Sequence, residues 1–521
     1  MLKALVERKS LILSANIILV VLFFILFGNS LPDICLYEDE ADYVYAARKG
    51  FIANYLDSGT LPFATFLKLG ISAKNSQASK TELSRTIRTA DDISVFRHWH
   101  GPLYFYYLSM GKWIYKNNDQ QMRIYSLMMQ LFCALAVFWG CMLFWGKFYG
   151  IAASFLISLC VLGSTSLYYS TAFLSTHGIF TLCLIVCLFV LIKAIQSGKE
   201  MYYHLSAGIM GMVFLSNEYA ALLMITWILS LVFAERYRKV GFKKIFGILS
   251  VSAASWLGVV FVFWPASLLK FSLLKSFVTQ AYFMIYRGSG FSPMPVWKYW
   301  IDRFSFLPVD LGISFFGLIL GLYVLIRKKE IILFPLICYM SLLLLTTFRN
   351  QSPNPTYTVT FVITGIVTAG FSLASLLKLK SNYKIGLLAL MCLVQLSFVV
   401  FRLIPEQKNI TSPKTELIHF LASEKPVRLL SVRYMMPIIR HYYPSINVDT
   451  YTAEIYSNEE GLTDVKNLTV GATVYDGMIF HGKNIQQYID IISNHYFFET
   501  VPFSSTNEAE KWVYLRLKPK G

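Results

Sequence analysis

Apolar residues in this chain run unbroken for the length of a bilayer crossing, in place of the alternation or one-sided recurrence of a soluble fold. Windows at 10–31, 123–146, 149–170, 177–196, 203–217, 219–235, 245–264, 307–326, 331–348, 357–377 and 384–404 each approach the ~20 mostly apolar residues that a helix needs to span hydrocarbon. Eleven transmembrane helices are expected from these windows. The first is expected to be retained, because no small-residue cleavage site interrupts it. The polar segments between windows are unequal: 32–122 and 265–306 are long loops, 405–521 is a long tail, and the other connections are short. In the tail, strand-like stretches at 427–432, 472–475, 497–503 and 512–517 alternate with helical ones at 414–422 and 484–494, which predicts a small α/β domain. The expected fold class is therefore a polytopic α-helical membrane protein, 1–404, followed by an α/β domain, 405–521.

Composition agrees. Of 521 residues, 55% are hydrophobic and 15% charged, against about 25% charged in an ordinary soluble chain, and mean hydropathy is +0.52. A soluble, disordered or fibrous protein is excluded. The net charge of +17 would suggest a nucleic-acid partner in a soluble chain. Here the positive residues follow membrane topology instead, and no nucleic-acid partner is expected. Lys3, Arg8 and Lys9, then Lys199, then Arg236 to Lys244, Arg327 to Lys329, and Lys378 to Lys384 fall in alternate connections, while the turns near Ser175, Asn217 and Arg349 hold little positive charge. The positive-inside rule then places the N-terminus in the cytoplasm. An odd number of spans exports the two long loops and the tail, so the polar segments large enough for chemistry share the extracytoplasmic face. All cysteines except Cys35 lie within apolar segments, which leaves no disulfide framework.

Two clusters in the first loop carry candidate chemistry. Glu38, Asp39, Glu40 and Asp42 follow directly on the first span. Such crowding raises a carboxylate's pKa or binds a divalent cation; equally, the residues make an acidic first turn favoured by the positive end of a helix. On a helix, Asp39 and Asp42 share a face, and Tyr43, Ala46 and Ala47 form an apolar stripe. Further on, His98, His100 and Tyr104 stand in the aromatic and basic run 96–107, followed by Lys112 and, at the mouth of the second span, Arg123. Arginine suits phosphate because its planar fork donates two parallel hydrogen bonds, and interfacial aromatics suit sugar rings or lipid headgroups. The two histidines, at i and i+2, cannot share a helical face, so no metal site is assigned to them. Arg287 lies between a tyrosine and a Gly-Ser-Gly run; Arg349 and Glu218 stand at the edges of spans, where a charged group faces either a cavity or water.

Asp39-Glu40, Asp42-Tyr43 and Ala46-Ala47-Arg48 after the first span, with His100-Gly101-Pro102-Leu103-Tyr104 and Arg123 opening the second, resemble the GT-C membrane glycosyltransferases, and among them the protein O-mannosyltransferase and lipid A aminoarabinose transferase group. The resemblance covers about 10–403. It departs at His177, where many relatives place an acidic residue, and at Asn217-Glu218, where a lysine is frequent. It implies transfer of a sugar, with inversion, from a polyprenyl-phosphate-linked donor to a glycan, lipid or protein acceptor on the extracytoplasmic face. Asp39 would be the catalytic base, Glu40 an orienting or acceptor-binding group, and Arg123, Arg349 and Arg287 the donor-phosphate ligands. His98, His100, Tyr104 and Glu218 would line the substrate site. No cofactor is required, although the carboxylates permit a divalent cation.

The residues alone leave two other classes open. A transporter or flippase of lipid-linked sugars would share the aromatic and cationic lining, but calls for ionisable residues in mid-span and short loops on both faces. A non-enzymatic envelope assembly protein would use the exported tail and have no need of the acidic cluster.

Overall fold

The computed structural model describes residues 2–48, 68, 101–116, 118–144, 148–217, 219–265, 296–347, 358–376, 381–410, 412–452, 454, 458–470, 473–503 and 511–520. The chain divides into two compact units: Met1–Leu31 with Ala46–Glu406, and Pro32–Tyr45 with Gln407–Gly521. The boundary thus falls twice, once beside the 404/405 division read from the sequence and once within the first loop.

The first unit is helical. Its elements are α1 (Leu2–Phe27), the last turn of α2 (Glu38–Arg48), α3 (Leu103–Tyr115), α4 (Asp119–Met142), α5 (Phe148–Leu162), α6 (Thr165–Ala172), α7 (Thr176–Ser197), α8 (Glu200–Phe214), α9 (Ala220–Tyr237), α10 (Phe242–Phe263), α11 (Val296–Phe306), α12 (Pro308–Lys328), α13 (Phe334–Thr347), α14 (Val359–Leu376) and α15 (Ser381–Phe398), the last continued by a π-helical turn, Val399–Leu403, and the short α16 (Ile404–Lys408). Among the described residues, seven helices are long and apolar enough to cross a membrane, beginning at Arg8, Asp119, Thr176, Ala220, Phe242, Pro308 and Asn382. The windows at 331–348 and 357–377 give shorter apolar helices, Ile331–Leu345 and Val359–Ala374. Phe24, Ile25, Phe246, Val262, Ile319 and Leu393 face outward, as residues that meet lipid should.

The window 149–170 is one span by hydropathy and two helices in the structure. Gly150–Leu162 and Thr165–Ala172 meet at 56°. Ser164 causes the break: its side chain accepts the Leu167 amide as the N-cap of α6, so the helix restarts there. A break frees backbone groups that hydrocarbon cannot satisfy. Gln130 Nε2 donates to Leu162 O at 2.7 Å and Gln395 Nε2 to Gly163 O at 3.1 Å. Asp310, in the first turn of α12, accepts from Ser164 Oγ at 3.0 Å, from the Ser166 amide at 2.6 Å, and from Gln395 Nε2. Small residues let α12 and α14 come together: a Cβ on Gly317 would lie 2.2 Å from Gly365 O, so only glycine permits that approach.

The second unit holds the start of α2 with α17 (Pro413–Glu424), β1 (Arg428–Val432), α18 (Met436–Tyr442), β2 (Asn447–Tyr451), α19 (Asn458–Thr469), β3 (Gly477–Gly482), α20 (Ile485–Ile492), β4 (Tyr496–Phe503) and β5 (Lys511–Pro519). The five strands run in the order β2-β1-β3-β5-β4, with β1 parallel to β2 and β3, and β5 antiparallel to β3 and β4. The strand read at 472–475 is displaced: its described residues, 473–475, are coil, and the strand follows at 477–482. Every residue of β3 is buried, so its Met-Ile-Phe run lacks the alternation of a half-exposed strand. The short β2, α18 and α19 are further elements that hydropathy did not mark.

Candidate active site

The acidic run opens α2, and the helix sorts its carboxylates by direction. Ala41, Val44 and Ala47 are fully buried, Tyr43 and Ala46 nearly so, and Glu40 is 2% exposed, whereas Asp39 is exposed and Asp42 partly so. Asp39 and Asp42 therefore share the open face, as their spacing predicts. Glu40 turns inward and back: its Oε2 accepts the Tyr37 amide at 2.8 Å, while the Ala41 amide donates to Tyr37 O to start the helix. Tyr37 is thus the N-cap and Glu40 the third helical residue, the acidic half of a capping box. One carboxylate of the pair holds the helix end and its neighbour is presented to solvent.

The segment leading into α2 is fixed by the C-terminal part of its own unit. The Cys35 amide donates to Thr415 Oγ1 at 3.0 Å and the Leu36 amide to the Tyr442 hydroxyl at 2.8 Å. Lys414 Nζ lies 5.5 Å from the Tyr37 ring centre and the Arg440 guanidinium 5.5 Å from that of Tyr45, both within cation–π range.

In the first unit, the last part of the first loop docks against the bundle. A Cβ on Gly101 would fall 2.2 Å from Leu215 O, and the Leu103 amide donates to that same carbonyl at 3.0 Å, so the glycine is required for the backbone to approach. Asn217 Nδ2 donates to Thr176 Oγ1 at 3.3 Å, tying the next connection to the start of α7. The tyrosines of α3 bond inward. Tyr104 is wholly buried with its hydroxyl 3.1 Å from Ser126 Oγ; Tyr106 donates to Phe263 O at 2.8 Å and Tyr107 to Tyr125 O at 2.5 Å. Tyr104, read as a substrate contact, thus packs α3 onto α4.

Arg123 is one turn before Ser126 on α4 and is completely buried. Its guanidinium lies 5.6 Å from the centre of the Phe173 ring, just past the end of α6. On α6, Tyr168 donates to Ser30 O at 3.0 Å and stacks on Phe27, with ring centres 5.4 Å apart, linking this neighbourhood to the end of α1. A guanidinium removed from water is a fixed positive charge, and its pull on an anion is larger there than in solvent. Asp310 lies in the same unit, accepting the Ser166 amide at the start of α6. The sequence reading missed it; the available signal was an acidic residue in the first turn of an apolar span, after a proline.

His98, His100, Glu218, Arg287 and Arg349 lie outside the described residues. Among the described residues, no group of three His, Cys, Asp or Glu side chains is placed to hold a metal ion.

Residues 99–264 match the family model described as dolichyl-phosphate-mannose-protein mannosyltransferase. No curated protein matches the chain in sequence. In structure it is similar to ArnT from Cupriavidus metallidurans in the apo state, at 12% identity and a TM-score of 0.58 over 98% of each chain. It is similar to the same protein bound to undecaprenyl phosphate, at 11% and 0.57 over 96% of this chain and 97% of that one. The Archaeoglobus fulgidus oligosaccharyltransferase in the apo form is matched at 10% and 0.52, over 94% of this chain and 69% of that one. The fold is ArnT-like, of the GT-C type, with a small C-terminal sheet domain.

Proposed function

We infer that the protein transfers a sugar from a polyprenyl-phosphate-linked donor to an acceptor hydroxyl on the extracytoplasmic face of the membrane, with inversion. The observation that carries this reading is a segment of a mannosyltransferase family, 99–264, within a chain that has the GT-C fold over nearly its full length. The undecaprenyl phosphate bound by the ArnT relative supports a lipid-phosphate donor.

Inverting transfer needs a base for the acceptor hydroxyl and fixed cations for the departing phosphate; a phosphate leaving group needs little acid assistance. Asp39 takes the proton. Its exposure on the open face of a helix whose apolar face is buried supports that role, and the inward turn of Glu40 makes Glu40 a positioning residue. Arg123 supplies positive charge for the donor phosphate, together with Arg349 and Arg287, while His98, His100 and Glu218 complete the substrate site and Tyr104 holds α3 against α4. No step calls for a cofactor, and the carboxylates leave room for a divalent cation.

Purified protein with a synthetic polyprenyl-phosphate sugar should release polyprenyl phosphate in step with glycosylation of an acceptor, and a deletion strain should accumulate the intact donor while losing a sugar from its surface glycans by mass analysis. Movement of the donor across vesicles without transfer would replace this reading with a flippase.

A further inference from the structure

We propose that the C-terminal α/β region is a positioning device for the catalytic base, acting through Thr415 and Tyr442; this rests on the assignment of Asp39 above. α1 ends at Phe27 and α2 begins at Glu38, and the ten residues between them, 28–37, belong to no helix that would fix them. In an extended stretch the backbone donors have no partners of their own. Two of them, the amides of Cys35 and Leu36, are taken by side chains 380 and 406 residues away in sequence: Thr415 in the first turn of α17 and Tyr442 at the end of α18. Cys35 is 6% exposed and Leu36 not at all, and both bonds are partly buried, so an amide that loses its acceptor there is not freely re-solvated.

Cations from the same two helices flank the segment. Lys414, beside Thr415, sits over Tyr37 and also 5.6 Å from the Trp512 ring centre and 5.7 Å from that of Tyr434. Arg440, two residues before Tyr442, sits over Tyr45. The residues held, 35, 36, 37 and 45, bracket Asp39 on both sides. Asp39 itself stays exposed, so the contacts fix the backbone that carries the carboxylate without covering it. Position matters because a base works only within hydrogen-bond reach of its proton, and a misplacement of about 1 Å can cost on the order of 10²-fold in rate.

The test uses the full-length protein in detergent with a synthetic polyprenyl-phosphate sugar. Tyr442→Phe and Thr415→Val each remove one acceptor, Thr415→Ser keeps the hydroxyl, and Arg516→Lys alters a surface ion pair elsewhere in the unit. In the first two, kcat should fall by ~10- to 10²-fold with donor KM unchanged, and the Cys35 or Leu36 amide should exchange hydrogen faster than in the wild type. Thr415→Ser should recover most of the loss, and Arg516→Lys should match the wild type. Combining Tyr442→Phe with Asp39→Asn should slow turnover no further than Asp39→Asn alone. Wild-type kcat in both clamp variants, with Asp39→Asn slow, would overturn the positioning role and leave the base assignment standing. Wild-type turnover in Asp39→Asn would overturn both, since the segment would then carry no base. A variant that fails to fold is replaced by the exchange measurement on Thr415→Val and Thr415→Ser, and equal protection at Cys35 in those two would overturn the clamp.

Discussion

Asp39 and Arg123 are the two charges on which the proposed reaction most depends, and they sit in opposite surroundings. Asp39 is exposed, on a helix whose other face is buried; Arg123 is completely buried in the first unit. The difference suits the work proposed for each. A base must exchange a proton with successive acceptors, which requires access. A counter-charge for phosphate gains strength from desolvation and needs only to be fixed in place beforehand. The same contrast holds between neighbours in sequence: Glu40, next to Asp39, is buried, with its carboxylate turned back onto the Tyr37 amide.

The sharpest way to break this comparison is at the open end. Asp39→Asn keeps size and removes basicity, so turnover should fall by ~10² or more, the range for a general base. Glu40→Gln can still accept the Tyr37 amide and should cost far less in turnover per folded molecule. A Glu40→Gln loss equal to that of Asp39→Asn would reverse their assignments.

At the closed end, Arg123→Ala should remove about 2–4 kcal/mol of transition-state stabilisation, the scale of one preorganised donor, and Arg123→Lys, which keeps charge and loses the fork, should retain part of the rate. Arg349→Ala and Arg349→Lys are expected to follow the same order. A purely structural arginine would lower the amount of folded protein and leave turnover per folded molecule intact, so both quantities are measured.

Asp310 separates burial for catalysis from burial for folding. Asp310→Ala strips the acceptor from the Ser166 amide and Gln395 at the break between α5 and α6, which should destabilise the bundle by about 1–3 kcal/mol for each donor left unpaired. Asp310→Asn keeps one carbonyl and should lose less. Thermal unfolding in detergent reads the effect, and an unshifted Tm for Asp310→Ala would remove Asp310 from the support of the broken span.

The smallest effect belongs to the second unit's surface. Arg516 bonds Glu424 at 2.6 and 2.8 Å, and this hydrogen bonding holds the Glu424 carboxyl below its ordinary value of 4.5. With the folded-state pKa depressed, the contribution is complete above about pH 4.5 and is lost as pH falls through the lower folded value. Glu424→Gln should therefore lower stability by about 0.2–1 kcal/mol at pH 7, the range for partly exposed pairs, and by less at acidic pH.

Hydropathy by itself determined that this is a helical membrane protein with a mixed domain after it, because a run of apolar residues as long as a bilayer is thick has few other solutions. Spacing alone placed Asp39 and Asp42 on one face of α2, since helical geometry is local. The sequence also carried the Gly101 motif, but not its reason, which is the nearness of Leu215 O. Tertiary structure decided the rest, and in each case the cause is a partner distant in the chain. Whether Glu40 or Asp39 meets solvent depends on what packs against α2. The break at Ser164 is affordable only because Gln130, Asp310 and Gln395 arrive from three other helices to bond the freed backbone. That residues 32–45 belong with 407–521 was invisible in composition, because the bonds that join them, from Cys35 to Thr415 and from Leu36 to Tyr442, depend on nearness in space and leave no periodic mark along the chain.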